Sequence, residues 1–265
     1  IEARVIAWLA GETWRQEVFA THGKIYEASA SAMFGVPIDK IVRGNPEYGL
    51  RQKGKVAELA LGYQGGPGAL KAMGALNMGL SEDELPDIVE RWRQSNRRIV
   101  DLWYAIDRAA IACVSTAQPQ GVNGIIFTRE GDYAQGQDFL TIALPSGRKL
   151  YYPKPYMGTN RWGSDSVCFY GLDSSYKWGQ VETYGGKLTE NITQAIARDC
   201  LAESIRRLHK AGYKIVMHIH DEVVIDAPMG ASLDDACDLM CQPISWADGL
   251  LLGADGFETD FYKKD

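Results

Sequence analysis

The chain has 265 residues, of which 46% are hydrophobic and 23% charged, and its formal net charge is −6. This composition is typical of a globular protein and excludes disordered, collagen-like and coiled-coil chains. No apolar stretch approaches the ~20 residues of a membrane span and no leader pattern precedes the first helix, so we expect a cytoplasmic protein without a membrane partner.

The first half of the sequence predicts short helices. Apolar residues over 2–20 recur at helical spacing with a break at Gly11, and the pattern is already helical at Ile1, as in a chain cut or started inside an element. Further helices are predicted over 24–34, 50–63 and 69–76, from a capping box at Ser81 and Glu84 toward Arg98, and on to about Thr116, with a loop over 41–49. Four tryptophans at helical positions are expected to pack in the core: Trp8, Trp14, Trp92 and Trp103.

The second half mixes strands with helices. The predicted elements are a hairpin over 123–129 and 137–152 with its turn at 145–147, an irregular stretch over 153–178, a helix over 187–211, two strands in 213–227 and a helix over 231–241. Five cysteines, an odd number without CxxC spacing, predict free thiols in a reducing compartment. The order of elements predicts an α+β fold.

Four side chains repeat at every fourth position of the predicted helix 50–63: Arg51, Lys55, Leu59 and Tyr63. This spacing keeps them near one face over about 18 Å, in the order cation, cation, apolar, aromatic. A nucleoside triphosphate fits this order, with its phosphates near the positive helix N-terminus and its base near the aromatic ring. A solvated amphipathic helix would show the same pattern.

A second candidate site lies at the turn between the two strands of 213–227. Asp221 and Glu222 stand there between stiff β-branched runs, a rigid arrangement of hard oxygen ligands that suits Mg²⁺, although a plain polar turn would look alike. Alternation along the first strand puts His218 and His220 on one face, so a transition-metal site with Asp221, as in a metal-dependent hydrolase, is a lesser alternative.

Taken together and in this order, the two motifs resemble those of family A DNA polymerases, the DNA polymerase I-like group, in particular the bacteriophage or prophage type. RQKGKVAELALGY matches the family's fingers helix, HIHDEVV matches its palm hairpin, and IEARVIAWLAGE is similar to the tail of its first palm motif. The resemblance implies a right-hand polymerase fold with helical fingers inserted in an antiparallel-sheet palm. It divides the chain into palm (1–22), fingers (23–116) and palm (117–265), with the N-terminal palm strand and the thumb missing.

The resemblance also implies a role for each matching residue. Asp221 would ligate metal in a two-ion Mg²⁺ site in which Mn²⁺ can substitute, and Glu222 and Lys55 would share in catalysis. Residues implied to bind the incoming dNTP are Arg51, Lys55, Tyr63, Glu2, Leu59 and Tyr26, with Glu2 excluding ribonucleotides. Residues implied to contact the template–primer are His220, Gln194, Arg4 and Asn191.

Three positions depart from the family pattern. The family's other metal-ligating aspartate falls before Ile1, Leu59 replaces an aromatic residue, and Tyr26 replaces a histidine that contacts the triphosphate. We therefore expect nucleotidyl transfer from a dNTP to a primer 3′-hydroxyl once an upstream or separate polypeptide supplies the missing palm strand and thumb. The alternative is a non-catalytic fragment that binds template–primer or complements that polypeptide, because a two-metal site needs carboxylates on more than one side.

Overall fold

Helices build the first 116 residues, as the apolar periodicity predicts. The computed structural model describes residues 1–173 and 175–263. The break at Gly11 is confirmed, because this residue takes the left-handed conformation (φ 68°) that glycine adopts most easily. The helices are α1 (Glu2–Ala10), α2 (Thr13–Thr21), α3 (Ile25–Phe34), α4 (Gly49–Leu61), α5 (Pro67–Ala72), α6 (Leu85–Ser95) and α7 (Arg97–Thr116).

Two boundaries in this half differ from the prediction. The loop predicted over 41–49 contains a 3₁₀ turn at Pro46–Tyr48, and α4 already begins at Gly49. The break predicted near Arg98 falls at Asn96, whose side-chain amide donates to the Trp92 carbonyl at 2.8 Å and closes α6. A side chain that bonds back to the preceding turn is a local effect that apolar periodicity does not register.

The predicted hairpin is part of a four-stranded antiparallel sheet. Leu144 donates its backbone N–H to the Arg148 carbonyl at 2.8 Å around the predicted turn, which confirms it. The strands follow one another in chain order: β1 (Gln120–Val122), β2 (Ile125–Asp132), β3 (Gln137–Ala143) and β4 (Lys149–Pro153).

The prediction of an irregular stretch over 153–178 is wrong, because a second antiparallel sheet begins there. Its strands are β5 (Tyr156–Thr159), β6 (Asp165–Leu172) and β7 (Trp178–Glu182). The inward side chain of Phe169 packs edge-on against Tyr152 of the first sheet, with ring centroids 5.0 Å apart. Gly171 allows this packing, since a Cβ there would lie 2.7 Å from the Phe169 ring. Glycines that serve packing break the alternation by which strands are recognised.

The last part of the chain combines a long helix, a hairpin and a short helix: α8 (Gly185–Lys210), β8 (Lys214–Ile219), β9 (Glu222–Asp226) and α9 (Leu233–Cys241). The hairpin is confirmed, but the alternation predicted for its first strand is wrong. The register shifts between Ile215 and Met217, and Val216 and Met217 are 53% and 38% exposed. His220 lies in the two-residue turn beyond the strand, so it does not share a strand face with His218.

One apolar core joins the helices to the first sheet. Trp92 and Trp103, each 1% exposed, stack in it with centroids 5.9 Å apart and planes 4° from parallel. Trp8 is half-buried against the same core and Trp14 is half-buried outside it, and they donate their indole N–H groups to the carbonyls of Asp248 and Ser95. Core packing is therefore confirmed for Trp8, Trp92 and Trp103 and wrong for Trp14. All five cysteines are free thiols. Among the helices in the described part of the chain, none has the length and apolarity to cross a membrane.

Candidate functional site

The open side of α4 carries the four predicted side chains, called the row below: Arg51, Lys55, Leu59 and Tyr63. The opposite side of the helix is buried through Gly54, Val56, Ala57, Ala60 and Leu61. Leu59 is 51% exposed, and the other three row residues are partly exposed. Arg51 lies two residues after the first helical residue and Tyr63 just beyond the last, so the predicted polarity of the row is observed.

Tyr26 of α3 joins the two cations of the row. The Arg51 guanidinium lies 5.4 Å and the Lys55 ammonium 6.0 Å from the centre of its ring. Arg51 also donates through Nε to Glu27 Oε1 at 2.8 Å, and the Glu27 side chain is only 14% exposed. The structure thus gathers three predicted nucleotide-binding residues, and Glu27 holds one of them in a fixed orientation.

Gly54 is the reason that Tyr26 comes so close to the row. A Cβ at this position would lie 2.2 Å from the Tyr26 carbonyl oxygen and 3.1 Å from the Ala30 Cβ. Glycine therefore lets the backbones of α3 and α4 touch, one residue before Lys55. Neither Gly54 nor Glu27 was predicted to belong to the site. For Gly54 the sequence does carry a signal, a glycine inside a helix that otherwise lacks one between its ends.

The aromatic end of the row is bonded to the start of α1. Tyr63 donates its hydroxyl to Glu2 Oε2 at 2.9 Å. Burial, with the Glu2 carboxylate as a second cause, raises the pKa of Tyr63 well above its ordinary value. The phenol therefore stays protonated and remains a donor to Glu2 at every physiological pH.

Two glycines at the start of α8 complete this end of the site. A Cβ on Gly186 would lie 2.4 Å from the Tyr63 carbonyl oxygen, and the Gly186 N–H donates to Gln64 Oε1 at 2.8 Å. On Gly185, a Cβ would lie 2.2 Å from the Trp103 carbonyl oxygen. The close approach places the N-terminus of α8 directly behind Tyr63, a contact that was not predicted.

The turn of the β8–β9 hairpin lies beside Ile1, the residue that precedes α1. The backbone nitrogen of Ile1 is 4.0 Å from Asp221 Oδ2, and the Asp221 side chain is 66% exposed. His220 supplies the turn with a left-handed conformation, φ 53°, which is uncommon for a non-glycine residue. Neighbouring residues 1 and 2 thus link Asp221 to Tyr63. Tyr262 of the C-terminal segment lies beside Glu222, and desolvation together with this carboxylate raises the pKa of Tyr262.

The residues predicted to contact DNA lie in separate surroundings. Asn191 on α8 donates to the Tyr152 hydroxyl at 3.0 Å, and exposed Gln194 lies one turn further along, 3.5 Å from Glu190. Arg4 packs over the Phe19 ring and donates to the Leu251 carbonyl at 3.1 Å, and burial lowers its pKa. The roles of these residues stay predictions.

The carboxylates that the structure describes do not complete a metal centre. Within residues 1–173 and 175–263, no group of three or more His, Cys, Asp or Glu side chains is placed to hold an ion. Asp221 and Glu222 alone are too few ligands for a two-ion Mg²⁺ site. The lesser alternative of a hydrolase metal site at His218, His220 and Asp221 has no support either, because these three side chains do not form such a group in this part of the chain.

Comparison with known proteins supports the resemblance drawn from the motifs. The chain is 57% identical over 268 aligned residues to a DNA polymerase of Bacillus phage SP02, in an alignment that takes in 100% of this chain and 40% of that protein. The chain thus spans well under half the length of this relative. No family model matches the chain.

A solved structure confirms the fold class. The POL domain of Pol1 from M. smegmatis, in complex with DNA primer-template and dNTP, superposes with a TM-score of 0.56 over 91% of this chain and 34% of that one. The sequence identity is 19%, so this likeness concerns the fold. The chain is therefore related along its whole length to part of a phage DNA polymerase, and its mixed helical and antiparallel-sheet architecture is that of a polymerase domain.

Proposed function

We propose that this relative of a phage DNA polymerase carries the nucleotide-binding helix and one part of the catalytic centre of a template-directed DNA polymerase. The observation that carries the proposal is the link from the row on α4 to the hairpin turn. Tyr63 is bonded to Glu2, and Ile1, the neighbour of Glu2, lies 4.0 Å from Asp221. Both polymerase-like motifs therefore meet at one place.

The residues on α4 bind and orient the incoming dNTP. Arg51 and Lys55 neutralise the triphosphate near the helix N-terminus, where the helix dipole adds to their charge. Leu59 and Tyr63 contact the sugar and base, and Glu2, held by Tyr63, crowds the 2′ position. The primer 3′-hydroxyl attacks the α-phosphate and pyrophosphate leaves, a reaction in which positioning and charge neutralisation supply most of the rate enhancement.

A two-ion metal site needs more ligands than the described residues provide. Mg²⁺, when bound, would supply the charge neutralisation that phosphoryl transfer needs. Asp221 is the ligand that this chain offers, with Glu222 beside it. We propose that polypeptide preceding Ile1 brings the remaining carboxylate, because the backbone of Ile1 lies next to Asp221.

The remaining assignments extend the same proposal. Fingers over 23–116 would close on a palm formed by 1–22 and 117–265, in a protein of the cytoplasm. The template–primer would lie along the residues that the motifs single out: His220, Gln194, Asn191 and Arg4.

A second candidate function has its own observation. Among the described residues, the carboxylates are too few for a two-ion site, which favours binding of template–primer without catalysis of synthesis. Metal-dependent synthesis by these 265 residues alone would exclude this candidate.

Primer extension by the full polypeptide that carries this sequence tests the first proposal. We expect Asp221→Ala to reduce extension by roughly a hundredfold or more, because an electrostatic contact at the reacting atoms is lost, while template–primer binding persists. Asp226→Asn is the matched control, since Asp226 sits at the open end of the same hairpin and pairs there with Lys214. Extension that survives Asp221→Ala would contradict the proposal.

A further inference from the structure

A buried ion pair lies behind α4, on the side away from the nucleotide-facing row. Arg15 of α2 and Glu58 of α4 have side chains only 2% and 6% exposed. Arg15 Nη1 donates to Glu58 Oε1 at 3.0 Å, and Nη2 donates to the other carboxylate oxygen, so the contact is bidentate. Such a pair fixes direction as well as distance, because the planar guanidinium and carboxylate must face each other.

The Glu58 carboxylate accepts hydrogen bonds from two further residues. Ser29 of α3 donates to Oε1 at 2.8 Å, and the Trp92 indole of α6 donates to the same oxygen at 2.9 Å. Arg15 Nη1 also donates to Asn96 Oδ1 at 2.7 Å. One side chain of α4 is thereby tied to α2, α3 and α6 at once.

A second contact holds the far end of α4. Trp103 stacks on Trp92 and donates its indole N–H to the Gly62 carbonyl at 2.9 Å. Glu58 directly precedes Leu59 and lies one turn beyond Lys55, so a rotation of α4 that broke the Glu58 contacts would also move the row. Apolar packing alone allows such rotations more readily, since it has no direction.

We propose that the Arg15–Glu58 pair positions α4, so that Glu58 acts as a positioning residue for dNTP binding. The proposal rests on the function proposed above. None of the residues that contact Glu58 belongs to the row itself. Together with these contacts, the pair joins α2, a helix of the predicted palm, to three helices of the predicted fingers. Glu58 therefore sets the orientation in which Arg51, Lys55 and Tyr63 face the incoming nucleotide.

Glu58→Gln is the first test, because it keeps the shape of the side chain but turns an amide N–H group toward the donors of Arg15. In the full polypeptide, we expect the KM for dNTP to rise about fivefold or more while kcat changes less than twofold. Backbone amides of α4 should exchange with solvent at least fivefold faster, relative to those of α8. Glu90→Gln, an exposed change on α6, is the matched control and should alter neither quantity.

A double variant separates positioning from stability. Arg15→Met with Glu58→Leu replaces the pair by apolar side chains, an exchange that buried ion pairs often tolerate. We expect the Tm to fall, because the buried side chains of Ser29, Trp92 and Asn96 lose their hydrogen-bond partners. Assayed well below this Tm, the folded variant should still show a raised KM for dNTP. A wild-type KM in this variant, or unchanged α4 exchange and KM in Glu58→Gln, would overturn the proposal. Failure of the wild-type protein to extend a primer would instead contradict the proposed function. Hydrogen exchange of the α4 amides would still decide whether the pair holds α4.

Discussion

The Arg51 side chain can combine its observed contact with Glu27 and its proposed contact with phosphate. Its Nε donates to Glu27, which leaves the terminal nitrogens of the guanidinium for phosphate oxygens. The Tyr26 ring under the guanidinium restricts its orientation further. A lysine at this position would carry the same charge but could not present two sets of donors in fixed directions.

We therefore expect Arg51→Lys to raise the KM for dNTP about tenfold, although the net charge is unchanged. The loss corresponds to about 1.4 kcal/mol, in the range of one charge-assisted hydrogen bond. Steady-state primer extension measures it. Arg91→Lys on α6, which pairs with Asp87 at the surface, is the control; an equal effect of both substitutions would show that orientation by Glu27 does not matter.

At the scale of elements, the site depends on how closely two helices approach. Gly54 brings the Tyr26 carbonyl within reach of α4, and without it the ring of Tyr26 would stand further from both cations. The close contact also gives α3 and α4 a single well-defined spacing, because a gap or an overlap in a packed interior costs free energy.

Gly54→Ala is expected to destabilise the protein by about 1–3 kcal/mol, since the added methyl group overlaps the backbone of α3. The KM for dNTP should rise with it, because Tyr26 moves away from Arg51 and Lys55. Thermal unfolding and primer extension give the two quantities. Gly49→Ala is the control: nothing lies within 4 Å of its Cβ position, so helix propensity should leave stability equal or slightly higher. A Gly54→Ala protein as stable as the wild type would refute the close contact.

The elements that could be predicted are those whose own residues show the periodicity of a helix or strand, without reference to contacts elsewhere in the fold. The helices α1 to α4 and α8 follow from apolar spacing, and the row on α4 is exposed as its spacing predicts. The sheet of β5 to β7 was missed because two of its glycines make room for neighbouring side chains, Gly158 for Cys168 of the next strand and Gly171 for Phe169 of its own strand. The bulge at Val216 likewise depends on the partner strand. Within the site, the residue types were predictable, but the bond between Glu2 and Tyr63 joins positions 61 residues apart and needs the fold.

At the scale of the whole molecule, Tyr152 connects the sheets to the long helix. It is 5% exposed, packs against Phe169 and accepts a hydrogen bond from Asn191 on α8. Burial, opposed only in part by the Asn191 bond, raises the pKa of Tyr152 to about 12 from an ordinary value of 10.0. The folded protein therefore keeps a neutral phenol where the unfolded chain would ionise.

Stability is expected to fall between about pH 10 and pH 12 for this reason. Below pH 10 the Tyr152 phenol is protonated in both the folded and the unfolded state, and its contribution to stability is fully present. Between pH 10 and pH 12 only the unfolded chain releases this proton, so the free energy of unfolding falls by up to about 3 kcal/mol. Denaturant titrations across this range should show a shallower decline for Tyr152→Phe than for wild type. Tyr151→Phe, at an exposed neighbour on the same strand, should keep the wild-type slope; an identical slope in all three proteins would contradict the assignment.

The parallel indoles of Trp92 and Trp103 have an optical consequence. Two such chromophores at 5.9 Å couple their electronic transitions, so their circular dichroism is sensitive to the angle between the two indoles. Trp92 bonds Glu58 and Trp103 bonds the end of α4, so this signal reports on the helix that we propose to bind the nucleotide. A movement of α4 in the proposed closure of the fingers is therefore expected to be visible in solution without attaching any dye.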